Sequence, residues 1–249
     1  MKNKNYRLYS DLSWIWPIIT PVREYVEETE LFSGYIKNHS DIKIETLLHL
    51  GCGGGHNDNT FKKHFKVTGI DISPDMLGIA GKLNPEVEYS QADMKTVRLG
   101  KTFDAVCCVD AICYMSGEKE LADVFKVAYD HLNPGGVFLT PVEMEKDKFK
   151  QNSTEVHTYK KEEVEITYIE NHYDPDLTDT SFEVVFMFLI RTSGDLEIER
   201  DIHECGIFNL KTWIRLLKET GFTVKQEKFT HSTFDKGKYL PLLLCKKPI

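Results

Sequence analysis

Long apolar runs are missing from this chain. The longest, Val184 to Ile190, is far short of the ~20 residues a membrane helix needs. The first stretch, MKNKNYRLYSDLSWIWPII, is basic and then apolar, but Asp11 and Pro17 interrupt it, so it does not read as a secretory signal. Cysteine pairing is missing as well. The six cysteines, at 52, 107, 108, 113, 205 and 245, form no CxxC pair and no zinc-like spacing. No metal is expected from them, and a reduced, cytoplasmic protein is. Positive charge is short, with 31 Lys and Arg against 39 Asp and Glu and a formal net charge of −8. There is no basic surplus to hold a nucleic-acid backbone. The expected partners therefore include neither a nucleic acid nor a membrane. What remains is a chain of 249 residues, 41% hydrophobic and 28% charged, a length suited to one α/β domain with an added subdomain.

The pattern that is present alternates strand and helix. A strand at 47–50 runs into Gly51, Cys52, Gly53, Gly54 and Gly55, and a short helix is expected at 58–65. Strands follow at 67–72, 87–90 and 103–109, with helices at 74–83 and 118–132 between and after them. NPGG (133–136) reads as a turn before a fifth strand, VFLTPV. The strand FDAVCCV is apolar almost throughout, as in a parallel sheet covered on both faces. Such alternation predicts a doubly wound sheet whose ligands lie outside the carboxyl ends of its strands.

From Glu143 the period changes. Strands are expected at 154–159, 163–170, 181–191 and 196–204, and EEVEITYIE alternates charged and apolar residues like a half-exposed antiparallel strand. FEVVFMFLI is apolar on both faces, which predicts a central place in that sheet. A helix in NLKTWIRLLKETGF, from Asn209 to a stop at Gly221, and two strands at 223–229 and 239–246 complete the chain. A helix at 24–37 precedes the first strand. The expected organisation is an N-terminal helical cap at 1–40, a core at 41–142 and 207–249, and a β-rich insertion at 143–206.

A nicotinamide-binding loop wants G-x-G-x-x-G, and its third glycine falls on His56. That weakens a reductase reading. The next element gives direction. Asp71 ends the second strand, 20 residues after Gly51, where an acid accepts both hydroxyls of a ribose. Ser73 fits the N-cap of the following helix, with Pro74 at its first turn, so Asp71 is free for a ligand. QADM follows the third strand; Asp93 suits an adenine amino group and Met94 the face of its ring.

LLHLGCGGG, GIDISPDML, QADM, FDAVCCVDAICYM and LNPGGVFL, in this order and spacing, resemble the class I S-adenosylmethionine-dependent methyltransferases. The resemblance covers roughly 43–140 and resumes at 213–246. It implies a seven-stranded, Rossmann-like sheet ending in an antiparallel strand pair, with S-adenosyl-L-methionine as cofactor. Gly51, Cys52, Gly53 and Gly55 would line its methionyl part, and Asp71 would hold the ribose with Ile72 and Met76 beside it. Asp93 and Met94 would hold the adenine. Asp110 and Ala111 would face the methionyl end and the substrate. The cofactor has no pyrophosphate, and its carboxylate suits a helix N-terminus. His49 departs from the family, which carries an acid there near the cofactor's ammonium. A protonated imidazole would repel that ammonium, so weaker cofactor binding is expected at low pH.

The insertion and the N-terminal aromatic segment resemble small-molecule methyltransferases, among them sugar-amine and glycine-type N-methyltransferases. This implies methyl transfer to the nitrogen or oxygen of a small acceptor, with the insertion acting as a lid, a homodimer surface, or both. The expected catalytic residues are Tyr9 and Trp16, closing over the methyl with Trp14, then Asp110, Tyr114 and His203. His157 and His172 are further candidate bases, and His203 is favoured because DIHECGIF leads from the insertion back to the core. The alternative is a non-catalytic regulatory protein that binds the same cofactor.

Overall fold

The computed structural model describes residues 6–249; residues 1–5 of the expected cap lie outside the described residues. The described chain opens with 3₁₀ turns at Arg7–Tyr9 and Ser13–Ile15, followed by α1 (Trp16–Ile19). A further 3₁₀ turn, Val22–Tyr25, leads into α2 (Val26–His39). This α-helix begins two residues later than its pattern predicts. Pro21 starts the turn from an extended backbone, and the tighter 3₁₀ winding uses the first residues.

The alternating part follows as β1 (Thr46–Leu50), α3 (Asp58–Phe61), β2 (Lys66–Asp71), α4 (Pro74–Leu83) and β3 (Glu88–Gln91). Then come β4 (Phe103–Cys107), α5 (Glu118–His131) and β5 (Leu132–Pro141). The insertion supplies β6 (Ser153–Lys161), β7 (Val164–Tyr173), β8 (Ser181–Thr192) and β9 (Asp195–Gly206). The chain returns through α6 (Leu210–Thr220), β10 (Thr223–Phe229) and β11 (Leu240–Lys246). Ser73 caps α4 as expected, its Oγ accepting from the Met76 N–H at 3.1 Å. Gly221 ends α6 with φ of 110°, the left-handed stop that glycine permits.

Two expectations change. The helix expected at 58–65 is a single turn, Asp58–Phe61, continued by i→i+3 bonds from Lys63 and His64. NPGG is not a free turn but lies inside β5. Gly135 takes φ of 80°, and the β4–β5 register shifts between Phe103 and Ala105. A Cβ on Gly136 would stand 2.5 Å from the Asp104 carbonyl oxygen, so only glycine lets the strands close there.

The large sheet has the order β10-β11-β5-β4-β1-β2-β3. β1 to β5 are parallel, and β11 runs antiparallel to both β5 and β10. Both faces are covered, as the unalternating strands require. Leu48 packs with Phe125, Trp213 and Leu217 under α5 and α6, while its neighbour Leu47 packs with Phe32 and Ile36 of α2. Each of these two leucines is fully buried, worth about 1.5–3 kcal/mol apiece.

The insertion is a separate antiparallel sheet, β6-β7-β8-β9, and β8 is indeed an interior strand. Its inner face presents Ile166, Phe188 and Ile190 to Leu8, Leu12, Ile15 and Ile19 of the N-terminal turns. The N-terminal turns and the insertion, far apart in the sequence, thus share one apolar cluster.

Candidate active site

The cavity begins where β1 neighbours both β2 and β4, the point at which the chain reverses its order across the sheet. The loops after all five parallel strands meet there. They bring Gly51–Gly54, Asp71, Asp93, Asp110 and Glu143 to one cavity of about 630 Å³. Its far wall is aromatic, from Tyr6, Tyr9, Trp16, Tyr25 and Tyr114.

At the glycine end, Gly51 has φ of 69°, and a Cβ there would stand 2.3 Å from that of Ala111. Gly53, at φ of 51°, would send a Cβ into space where only Met76 Cε lies near, at 3.6 Å. Asp71 faces the cavity and organises the loop: it accepts from the Gly53 N–H and the Ser73 N–H, each at 2.8 Å. Burial raises its pKa, and these two amides oppose that. The carboxylate keeps lone pairs for further donors. Ile72, Met76, Asp93 and Met94 also line this end. Opposite Gly54 stand two unsatisfied donors. Trp16 Nε1 has no partner, and neither ring nitrogen of His56 makes a hydrogen bond. The Gly54 and Thr20 carbonyls lie near the His56 ring without hydrogen-bond geometry. Burial holds His56 neutral, with its pKa pushed down to about 4.

Asp110 sits in a strained turn, with φ of 56° and ψ of −58°. The Ala111 N–H bonds the Val109 carbonyl across it, a γ-turn of the rare hand. Asp110 and Glu143 both open onto the cavity and lie side by side. The Asp110 N–H donates to Glu143 Oε1 at 3.0 Å. Glu28 stands behind Asn57, whose amide donates to it at 3.0 Å.

The aromatic end is tied by one chain of hydrogen bonds. The Tyr9 and Tyr114 hydroxyls are 2.7 Å apart, Tyr114 Oη is 2.8 Å from His203 Nδ1, and His203 Nε2 is 2.7 Å from Asp201 Oδ2. Asp201 also accepts from the Leu8 N–H at 2.8 Å. Burial works to raise the Asp201 pKa, but the His203 bond and the amides outweigh it and the net shift is down. Burial raises both phenols well above their usual value, so they remain hydroxyls that donate and accept.

Three sequence expectations fail here. His203 does not line the cavity; it is fully buried and both of its nitrogens are engaged, so it cannot touch an acceptor. His157 and His172 sit beside Glu155 and Glu170 on the insertion sheet, away from the cavity. Gly55 also misses the cavity lining. A Cβ there would strike Asn84 and Tyr89 at 2.7 Å, so this glycine makes room for packing, not for a ligand.

His49 is resolved differently from its expectation. It is 1% exposed and turns beneath the loop, where its Nδ1 meets Asp58 Oδ1 at 2.7 Å. Tyr89 donates to the other Asp58 oxygen at 3.0 Å. His49 therefore does not line the cavity, and it acts there only through its charge on Asp71 and Asp110. Nor is α3, a single turn, the helix expected for a carboxylate. Tyr6, Tyr25, His56, Asn57 and Glu143 line the cavity but were not expected there. Two carried a signal: Glu143 lies just past the carboxyl end of the fifth strand, and Tyr6 opens the N-terminal aromatic segment.

Residues 47–136 match the family described as a methyltransferase domain. Over 117 residues the chain is 32% identical to a dTDP-3-amino-3,6-dideoxy-alpha-D-glucopyranose N,N-dimethyltransferase of Streptomyces fradiae, a match covering 46% of each chain. It is also 32% identical, over 46% of this chain and 49% of the relative, to a dTDP-3-amino-3,4,6-trideoxy-alpha-D-glucopyranose N,N-dimethyltransferase of Streptomyces venezuelae. The matched stretch thus spans about half the length of these curated relatives. Over nearly the full chain, the fold is that of Streptomyces venezuelae DesVI, with a TM-score of 0.84, 20% identity, and coverage of 97% of this chain and 98% of that one. It is likewise that of CalS10, an amino pentose methyltransferase from Micromonospora echinaspora, with a TM-score of 0.77, 19% identity, and coverage of 98% and 99%.

Proposed function

We propose that this chain, whose core is a class I methyltransferase domain, transfers a methyl group from S-adenosyl-L-methionine to the nitrogen of a small amine of the amino-sugar class. The observation that carries the reading is one continuous cavity. It runs from a glycine loop and Asp71 to an aromatic wall beneath the insertion. The printed activities of the sequence relatives favour an amino-sugar acceptor. When bound, the cofactor supplies an electrophilic methyl on a sulfonium.

The protein's own part is to bind, align and exclude water. Gly51, Cys52 and Gly53 leave backbone room for the methionyl group. Trp16 Nε1 and His56, unpaired and beside Gly54, offer donors to its carboxylate. Asp71, flanked by Ile72 and Met76, takes the ribose; Asp93 and Met94 take the adenine. Tyr9, Trp16 and Tyr114 close over the transfer point with Asp110 and Ala111. His203 acts as a positioning residue: with Asp201 it fixes the Tyr114 hydroxyl, and through it that of Tyr9.

We assign residues 143–206 to a lid over the acceptor, working together with the N-terminal turns. Its outer face leaves Val156, Met187, Ile198 and Ile202 exposed, and register puts them on one side of the sheet. A second copy of this chain is the proposed cover. A cytoplasmic location fits the six cysteines, all free; no helix among the described residues is long and apolar enough to cross a membrane. Calorimetry with S-adenosylmethionine, S-adenosylhomocysteine and NADH tests the cofactor, and homocysteine release with a panel of amino sugars, phenols and acids tests the acceptor. Binding of NADH alone would overturn the reading. Turnover of an acid or phenol but of no amine would overturn the amine acceptor.

A further inference from the structure

Three carboxyl groups gather where the cavity's cofactor end passes into its aromatic end. Asp110 comes from the loop after β4, Glu143 from the end of β5, and Glu28 from α2 behind Asn57. Glu143 is faced by Asp110, Glu28 and the thiols of Cys108 and Cys113. Asp110 is faced in turn by the phenols of Tyr9 and Tyr25 and by His49 of β1. The only lysine or arginine among the described lining residues is Lys95, already 3.1 Å from Glu120. Enclosure by the protein lifts all three acids, and repulsion from Asp110 adds to it at Glu28, raised to about 8, and at Glu143, raised well above the usual carboxylate range. Asp110 and Glu143 are exposed to the cavity, and acids gathered there without a cation would be relieved by a cationic ligand.

A second feature of the cavity also points to a ligand. His56 is only 3% exposed, lines the same space, and has no hydrogen bond from either ring nitrogen. Buried polar groups left unmatched on a cavity wall call for a partner in the cavity, for His56 the cofactor's carboxylate, which leaves the acids to the acceptor. The rings of Tyr9, Tyr25 and Trp16 add faces that attract a cation. None of the histidines expected from the sequence supplies the base: His203 is sealed off from the cavity, and His157 and His172 are not part of its lining.

Resting on the methyl-transfer reading, we propose that Glu143 and Asp110 seat the acceptor's amino group as an ammonium ion and that Glu143 takes its proton. The entering ammonium first returns Glu143 to its carboxylate, the displaced proton going to water; the N–H bond then breaks, the proton moves to that carboxylate, and the electron pair stays on nitrogen. That pair forms the new C–N bond as the C–S bond breaks and its electrons return to sulfur, leaving a neutral thioether. The proton on Glu143 passes to water on product release. The acceptor class is thereby narrowed to basic amines, and anionic acceptors are repelled by the same carboxylates.

The test needs no known acceptor. Sinefungin carries an amine in place of the methylsulfonium, whereas S-adenosylhomocysteine carries a neutral thioether there; the two share their remaining parts. Calorimetry at pH 7.5 should show sinefungin binding roughly tenfold or more tightly, a gap of about 1.4 kcal/mol or more. Glu143→Gln should reduce that preference to within about threefold while leaving S-adenosylhomocysteine affinity nearly unchanged. In the parent protein the preference should also shrink from pH 8.5 to 5.5 as the carboxylates protonate, a readout that holds if the variant fails to fold. Equal affinities in the parent, a preference retained in Glu143→Gln, or one constant across that pH range would overturn the proposal. Failure to bind S-adenosylhomocysteine at all would instead remove the methyl-transfer reading beneath it.

Discussion

The two ends of the cavity are built in different ways. The glycine end is assembled from loops that follow successive strands, within the stretch from Gly51 to Ala111. The aromatic end joins Tyr9, Tyr114 and His203, with 105 positions between the first pair and 89 between the second. The first end depends on backbone geometry, so a side chain added there blocks a ligand. The second depends on side chains holding one another, so a side chain removed there loosens an alignment. Substitutions at the two ends should therefore fail in different ways.

The largest effect is expected at Asp71. Asp71→Ala removes the proposed ribose contacts, worth about 1.5–3 kcal/mol per charge-assisted bond. It also frees the Gly53 and Ser73 amides that the carboxylate now holds. S-adenosylhomocysteine affinity should fall by about two orders of magnitude or more, in line with two such bonds lost. Affinity equal to the parent's would show that the glycine end is not the cofactor site.

Next is His203→Ala at the aromatic end. It leaves Asp201 and Tyr114 without their shared partner in a buried site, at a cost of about 3–5 kcal/mol in stability. Methyl transfer should drop mainly through kcat, while cofactor affinity in the folded fraction stays near the parent's. A large loss of cofactor affinity would show that the two ends are not separable. The same pair gives a pH signature. The Asp201 pKa is lowered in the folded protein, so its contribution is present above the unfolded value near 3.8 and is lost as pH falls through the folded one. Acid melting of Asp201→Asn should therefore be less steep below about pH 4.

Two glycines sharpen the contrast further. Gly53→Val should weaken cofactor binding by about tenfold or more while costing roughly 1–2 kcal/mol in folding, mostly for its positive φ. Gly55→Ala should do the reverse, since its Cβ strikes Asn84 and Tyr89 and does not reach the cavity. Thermal melts paired with calorimetry separate the two; identical profiles would erase the distinction.

The smallest effect belongs to Glu28. Its pKa is raised to about 8, so the folded state binds the extra proton and stability is lost as pH rises from about 4.5 to 8. Glu28→Gln should raise the melting temperature at pH 8 by about 2–4 °C, the scale of 1 kcal/mol in a chain this size. A gain of the same size at pH 4.5 would show that the effect is not electrostatic.

The sequence by itself determined the alternation of elements, the glycine loop, Asp71 at its strand end and the cap at Ser73. Each is local: a period, a turn residue or a strand terminus is written within a few positions, and strand order then carries the loops to one edge. It also marked the change of period that begins the insertion. Tertiary structure alone decided which histidines face the cavity. His49 and His203 read as site residues from their places near strand ends and loops, yet both are buried against acids: Asp58, across the glycine loop, and Asp201, two positions back on the same face of β9. Tertiary structure likewise decided that the N-terminal turns and the insertion share one cluster, and that Glu28, Asp110 and Glu143 converge. Such contacts depend on where separate elements pack, and burial and mutual charge, which set the protonation of these groups, exist only once the chain has folded.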